Sequence, residues 1–290
     1  MIVIAGGSGV LGQQVVARLL NQGEKIRVLV RDGARARTLF GDAVEVVRGD
    51  VRSRDELDET VAGAAVVISA VHGFLGGRGA GPVEVDERGN ANLVDAAAAA
   101  GAGVVLVSVL GASPDSPVEL FRAKYAAEQY LRGSGTQWTI VRAAAYLETW
   151  LTVLTQTAGK SGRTLIFGRG DQSIRFVSAL DVAAVVSQAA VDTTAGGQVL
   201  EIAGQPLTMT ELARALHDAR RWHGAPRHVP RPVLRMLSVL AGPLSPVFAR
   251  QNKTALAMDT GVLTFDAPVT ARPGLPPQTL ADVLARFTAL

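Results

Sequence analysis

With 290 residues, 48% hydrophobic and 19% charged, the chain is long and apolar enough to bury a sizeable core, and its apolar runs are broken too often for a membrane bundle. Its formal charge of +3 comes with arginines spread along the chain, so nucleic acid is not the expected partner, whereas a polyanionic cofactor is compatible. The absence of cysteine excludes disulfide scaffolds, thiolate metal sites and cysteine nucleophiles, leaving redox chemistry to a bound cofactor with no metal site expected.

Met1 leads directly into the apolar run IVIA, with no basic leader or small-residue cleavage site. No export signal is expected, and the cytoplasm is the expected location. Similar runs follow in KIRVLVR, VEVVRG, AAVVISA, GVVLVSV and QWTIVRA, with helix-length segments between them. Runs apolar on both faces and spaced by helices predict parallel strands covered on both sides, the alternation of an α/β, Rossmann-type doubly wound sheet. SRDE at Ser53–Glu56 and TMTE at Thr208–Glu211 have the form of capping boxes and predict helix starts. SALD at Ser178–Asp181 has the same form, so Asp181 reads as a cap in preference to a catalytic acid. The uncharged stretch Ala96–Pro114 imitates a transmembrane helix, but Gly101 and Gly103 interrupt it. A helix end, a turn and a buried strand are predicted there, and no membrane insertion.

Beyond QWTIVRA the pattern changes. The polar segment AGKSGRTLIFGRGDQSIRF precedes a helix, SALDVAAVVSQAAV, and QVLEIAG reads as one more strand. From Gly204 on, prolines at 226, 230, 232, 243 and 246 cut the chain into short helical pieces that end in the helix TLADVLARF. The expected organisation is a dinucleotide-binding domain over residues 1–144, to which 176–203 return, and a smaller substrate-binding cap from 145–175 and 204–290.

Gly6, Gly9 and Gly12 form G-x-x-G-x-x-G between the first strand and the first helix, with Gly7, Ser8, Val10 and Leu11 filling the loop. Glycine suits each place because the turn is tight, a diphosphate must approach bare N–H groups and the helix must sit close to the strand. A Walker-type loop is disfavoured, since Gln13 follows Gly12 where Lys and Ser/Thr belong. Arg31 lies 19 residues after Gly12, near where an NAD-preferring site carries an acid. A guanidinium there pairs with the 2′-phosphate of NADP, which a carboxylate would repel. NADP(H) is therefore expected over NAD(H), the competing residue being Asp32, which would serve a ribose if the strand ran one residue further.

The blocks IAGGSGVLG, VLVRD, VRGDV, VVISAV, VDERGNANLVDAAAAAGAGVVLVSVLGA, FRAKYAAEQYLRGSGTQWTIVRA and FVSALDVAAVV, in this order, resemble the atypical, extended-type short-chain dehydrogenase/reductases, specifically the NmrA-like NAD(P)H-binding group. The resemblance implies that Asp50 and Val51 flank the adenine, Ser69 and Ala70 line the cofactor at the fourth strand, Ser108 ends the fifth strand beside the nicotinamide, and Lys124 faces the nicotinamide ribose. Each has a structural alternative: Asp50 as a helix start, Ser69 as a buried bonded hydroxyl, Lys124 as surface charge.

The chain departs from the superfamily's Tyr-x-x-x-Lys pair, because Leu120 stands four residues before Lys124 and none of Tyr125, Tyr130 and Tyr146 has a lysine four residues on. Three residues stand in as catalytic candidates. Lys124 sits in a helix similar to that of isoflavone-reductase-like enzymes, where lysine handles the proton; His72 follows the fourth strand and titrates near neutrality; Tyr146 follows the sixth. The glycine-rich segment His72–Pro82 is long for a connection and reads as a mobile lid. Two functions remain open. One is an NADPH-dependent oxidoreductase acting on a small carbonyl, quinone or conjugated alkene; the other is a non-catalytic NADP(H)-sensing regulator with a protein partner. Either is compatible with an oligomer.

Overall fold

The computed structural model describes residues 1–192, 196–240, 245–265 and 276–289. In chain order the elements are β1 (Ile2–Ala5), α1 (Val10–Asn21), β2 (Ile26–Val30), α2 (Gly33–Phe40), β3 (Glu45–Arg48), α3 (Asp55–Val61), β4 (Val66–Ser69), a π-helical segment (Val83–Gly89) running into α4 (Asn90–Ala99), β5 (Gly103–Val109), α5 (Glu119–Gly133) and β6 (Trp138–Ala143). There follow β7 (Ala145–Tyr146), α6 (Leu147–Ala158), β8 (Leu165–Phe167), β9 (Ile174–Val177), α7 (Ala179–Val191), β10 (Gln198–Ile202), β11 (Pro206–Leu207), α8 (Met209–Arg220), β12 (Arg227–Val229), α9 (Arg231–Leu240), α10 (Pro246–Asp259) and α11 (Leu280–Ala289). The described residues fall into two compact units, Met1–Arg142 with Leu180–Glu201, and Ala143–Ala179 with those from Ile202 on.

The first unit is built on a seven-stranded sheet of order β10-β6-β5-β4-β1-β2-β3. β1 pairs in parallel with β2 on one side and β4 on the other, in registers Ile2 to Ile26 and Ile2 to Val66; β3 and β5 extend it in parallel. All four β1 residues are buried, as a strand covered by helices on both faces requires. Val15, Val16 and Leu19 of α1 are fully buried. Another layer packs Leu57, Leu93, Leu106, Leu131 and Ile140 together. Each such side chain contributes about 1.5–3 kcal/mol relative to exposure. Because consecutive strands lead away from β1 in opposite directions, the crevice at the ends of β1 and β4 is the switch point where such sheets take ligands.

In the second unit β9 pairs in parallel with β7 and antiparallel with β11, and β8 pairs in parallel with β12. The buried Asp259 carboxylate, at the end of α10, accepts from the N–H groups of Arg169 (2.8 Å) and Gly170 (2.9 Å) and pairs with Arg231. Pro230 and Pro246 mark helix starts as expected; Pro243 lies outside the described residues.

The capping expectations divide. Thr208 and Glu211 form the reciprocal box at α8, but Ser53 and Glu56 do not: α3 starts after Arg54 without a side-chain cap. Glu56 instead accepts the backbone N–H of Asp50 at 2.9 Å, so the same four-residue pattern ties the preceding loop. At the start of α7, Glu148 takes part, accepting from Ser178 Oγ at 2.6 Å and Ala179 N at 2.9 Å. Ala96–Pro114 resolves into the end of α4, a turn and β5, and no described helix is long and apolar enough to cross a membrane.

Candidate functional site

The glycine loop shows which of its glycines serve the fold. Gly6 has φ +85°, and a Cβ there would meet the carbonyl oxygen of Ala70 at 2.7 Å. A Cβ on Gly12 would lie 2.2 Å from Gly6 O, and one on Gly7 would lie 2.9 Å from the Val28 side chain. These three let α1, β2 and the chain after β4 close on the loop. Gly9 is different: it is exposed, and a Cβ would meet only Gly6 O at 3.4 Å, so the protein's own atoms do not demand glycine there. It is the N-cap of α1 and offers no side-chain cap, leaving the first-turn N–H groups at Val10, Leu11 and Gly12 without an intrahelical acceptor. Bare N–H groups at a helix start, with space where a Cβ would stand, fit a diphosphate. Ser8 is half-buried and its carbonyl accepts from Gln13 Nε2 at 2.9 Å, steadying the turn.

At the end of β2, Arg31 and Asp32 differ in what they bind within the chain. Asp32 is the N-cap of α2, where its Oδ1 accepts from the Arg35 N–H at 3.0 Å. Arg31 is exposed and makes no hydrogen bond or ion pair with any described residue. The neighbouring acid is also taken: Asp50 receives Nε (3.0 Å) and Nη2 (2.7 Å) of Arg52. That guanidinium holds Asp50 below the usual carboxylate range, against opposing desolvation, and Arg31 adds to the lowering through space. Val51, next in line, is buried against Gly89.

Past β4 and β5 the side chains form buried polar pairs. Lys124 and Asp86 are 3% and 0% exposed and stand 3.0 Å apart; Lys124 Nζ also donates to Val71 O at 2.9 Å, and Asp86 Oδ2 accepts the Gly73 N–H at 2.7 Å. The ammonium is thus held by one backbone carbonyl and by the charge of Asp86. Ser69 Oγ donates to Asn90 Oδ1 at 2.5 Å, beside Ala70, whose N–H bonds back to Ala5 O. Ser108 Oγ donates to Glu128 Oε1 at 2.5 Å, and Glu128, fully buried, pairs with Arg142 at 2.7 Å. Ser69 and Ser108 therefore hold helices α4 and α5 to the strands bearing them.

His72 keeps an exposed ring over this crowded region; partial desolvation lowers its pKa, Asp86 opposes, and Lys124 and Arg31 reinforce the lowering. The loop after it closes on itself, since Cβ atoms on Gly73 and Gly76 would meet Gly81 O and Ala80 O, and Arg52 Nη1 donates to Gly79 O at 2.5 Å. Tyr146 belongs to the second unit, on β7, where burial pushes its phenol well above the ordinary range and Glu148 adds to the effect. Among the described residues no three His, Asp or Glu side chains are placed to hold a metal ion.

The model of the NmrA-like family matches residues 1–237. The chain belongs to the NmrA-like family. It is 30% identical over 222 residues to an NAD(P)H azoreductase of Xenophilus azovorans, covering 76% of this chain and 73% of the relative. Its fold matches that of an NADPH-dependent quinone oxidoreductase from Escherichia coli solved with NADPH, at 22% identity and a TM-score of 0.79 over 99% of each chain. It also matches triphenylmethane reductase from Citrobacter sp. solved with NADP(H), at 21% identity and a TM-score of 0.78, over 99% of this chain and 100% of that one. Within this NmrA-like frame, Asp86, Asn90 and Glu128 are the residues that sequence reasoning missed. Asp86 and Asn90 share a helical stripe with the buried Val85, Gly89 and Leu93, and polar groups on an apolar stripe were the available signal.

Proposed function

We propose that the protein is an NADPH-dependent reductase of a small carbonyl, quinone or conjugated alkene. The observation that carries this reading is the exposed Gly9 at the uncapped start of α1, with the uncommitted Arg31 guanidinium at the end of β2. The first suits a diphosphate; the second suits a 2′-phosphate, which pairs with a guanidinium in charge-assisted hydrogen bonds. Bound NADPH supplies the hydride. In this reading the chain's own residues do the rest: Gly6, Gly7, Gly9 and Gly12 bring backbone to the diphosphate, Asp50 and Val51 flank the adenine, and Ser69, Ala70 and Ser108 shape the wall past β4 and β5. The Lys124 ammonium faces the nicotinamide ribose.

The Lys124–Asp86 ion pair supports a positioning lysine more than a proton donor, since giving up its proton would leave Asp86 buried with its charge unopposed. Quinones suit such a site, because their reduction asks little of a protein acid. The similarity to an NAD(P)H azoreductase supports reductase chemistry at this position in the family. The test is NADPH consumption with a panel of quinones, enones and aldehydes, alongside titration of NADPH and NADH. Turnover of a quinone with tighter NADPH binding is expected; NADPH binding without turnover of any compound would replace the reductase by the sensing regulator.

A further inference from the structure

Helix α9 has an unusual distribution of side chains. Leu234 and Ser238, four residues apart, face the protein and are buried. The opposite face carries Val233, Met236 and Leu240, with Val239 beside them, at exposures of 37, 52, 64 and 72% respectively. Phe248, near the start of α10, adds a 43% exposed ring, and α9 and α10 pack together. At helical spacing, Val233, Met236 and Leu240 form one exposed apolar stripe along α9, and such a stripe marks an interaction surface.

Charge selects the occupant. Between Asp218 and Asp259 the chain has seven arginines and lysines and no aspartate or glutamate. Arg221, Arg227, Arg235 and Lys253 of this group are exposed. A second copy of the same face would bring like charges together, which opposes self-association. An exposed apolar helix face set in a basic, acid-free segment instead matches a surface that is apolar beneath and anionic above.

We propose that α9 and the start of α10 dock the protein on an anionic lipid surface. Val233, Met236, Val239 and Leu240 enter the acyl boundary, and Arg227 and Arg235 lie among the headgroup phosphates. This is docking at the interface, with no span of the bilayer, and it does not depend on the cofactor reading.

Co-sedimentation of the full chain with phosphatidylcholine vesicles, with and without phosphatidylserine, tests it. Binding to the phosphatidylserine vesicles is expected, with little to neutral ones and release as salt rises. Arg235→Glu is expected to weaken binding roughly tenfold. Met236→Asp combined with Leu240→Asp is expected to weaken it by at least about tenfold, with the unfolding midpoint nearly unchanged because both side chains are exposed. NADPH affinity, measured on the same variants, is expected to stay at the wild-type value, which separates failure here from failure of the reductase reading. Absence of binding to phosphatidylserine vesicles, or equal binding to neutral ones, would overturn the proposal. So would a wild-type dimer that Met236→Asp dissolves while vesicle binding is absent.

Discussion

The glycine loop with the end of β2, and the polar pairs past β4 and β5, are regions of the same unit built by opposite means. The first is marked by what is missing: no Cβ at Gly9, no side-chain cap on α1 and, at the end of β2, no hydrogen-bond or ion-pair partner for Arg31 among the described residues. The cluster works through what is filled, because Lys124, Asp86, Ser108 and Glu128 are buried and committed to one another or to backbone. An open site binds by leaving donors for the ligand, whereas a filled one holds helices and strands at fixed distances. Substitutions should therefore separate into those that cost affinity and those that cost stability.

The largest effect is expected in the cluster. Lys124→Met leaves the Asp86 charge buried without its partner and should destabilise the fold by about 3–5 kcal/mol. Adding Asp86→Asn should recover much of that loss, and denaturant unfolding of both variants checks it; a double variant no more stable than the single one would mean the pair is not the unit. At the end of β2, Arg31→Asp should weaken NADPH roughly ten- to a hundredfold and favour NADH, with unfolding changed by less than about 0.5 kcal/mol. Fluorescence titration of both nucleotides reads this, and equal losses for the two would remove the 2′-phosphate from the argument.

Gly9→Ala sharpens the contrast further. Its Cβ finds room in the protein, so stability should stay within about 0.5 kcal/mol, while the ligand's approach is obstructed and NADPH affinity falls on the order of tenfold. A parallel fall in melting temperature would place Gly9 with the structural glycines.

The smallest effect belongs to His72. Its folded-state pKa lies below the ordinary 6.5, so the folded protein disfavours the proton. The resulting stability is present above 6.5 and is lost as pH falls through the lower folded value. The ring is exposed, so screening limits the contribution to under about 0.5 kcal/mol, and His72→Gln should flatten that part of the profile of unfolding midpoint against pH.

The fold was largely legible in the residues because its signals are local: apolar runs, wholly buried in β1 and only half-buried in the edge strand β3, helix-length spacers and a glycine turn at the first strand end. Capping patterns were legible only in part, since Thr208–Glu211 closes on itself and Ser53–Glu56 does not. A glutamate three residues on can reach either the cap N–H or another donor nearby, and Asp50 N won. Within the candidate site the exposed loop could be read because glycine spacing and the place of Arg31 are sequence properties. The cluster could not, because Lys124 meets Asp86 across 38 positions and Ser108 meets Glu128 across 20.

By itself the sequence determined the strand and helix alternation, the glycine loop and the arginine at the end of the second strand, each set by steric rules acting over a few residues. Tertiary structure alone decided that Asp32 caps α2 while Arg31 makes no hydrogen bond or ion pair with a described residue, that Gly9 of the glycine loop has room for a Cβ, and that Lys124 pairs with Asp86. The reason is that a polar group's role depends on which partner reaches it after burial, and burial is settled by elements far apart in the chain.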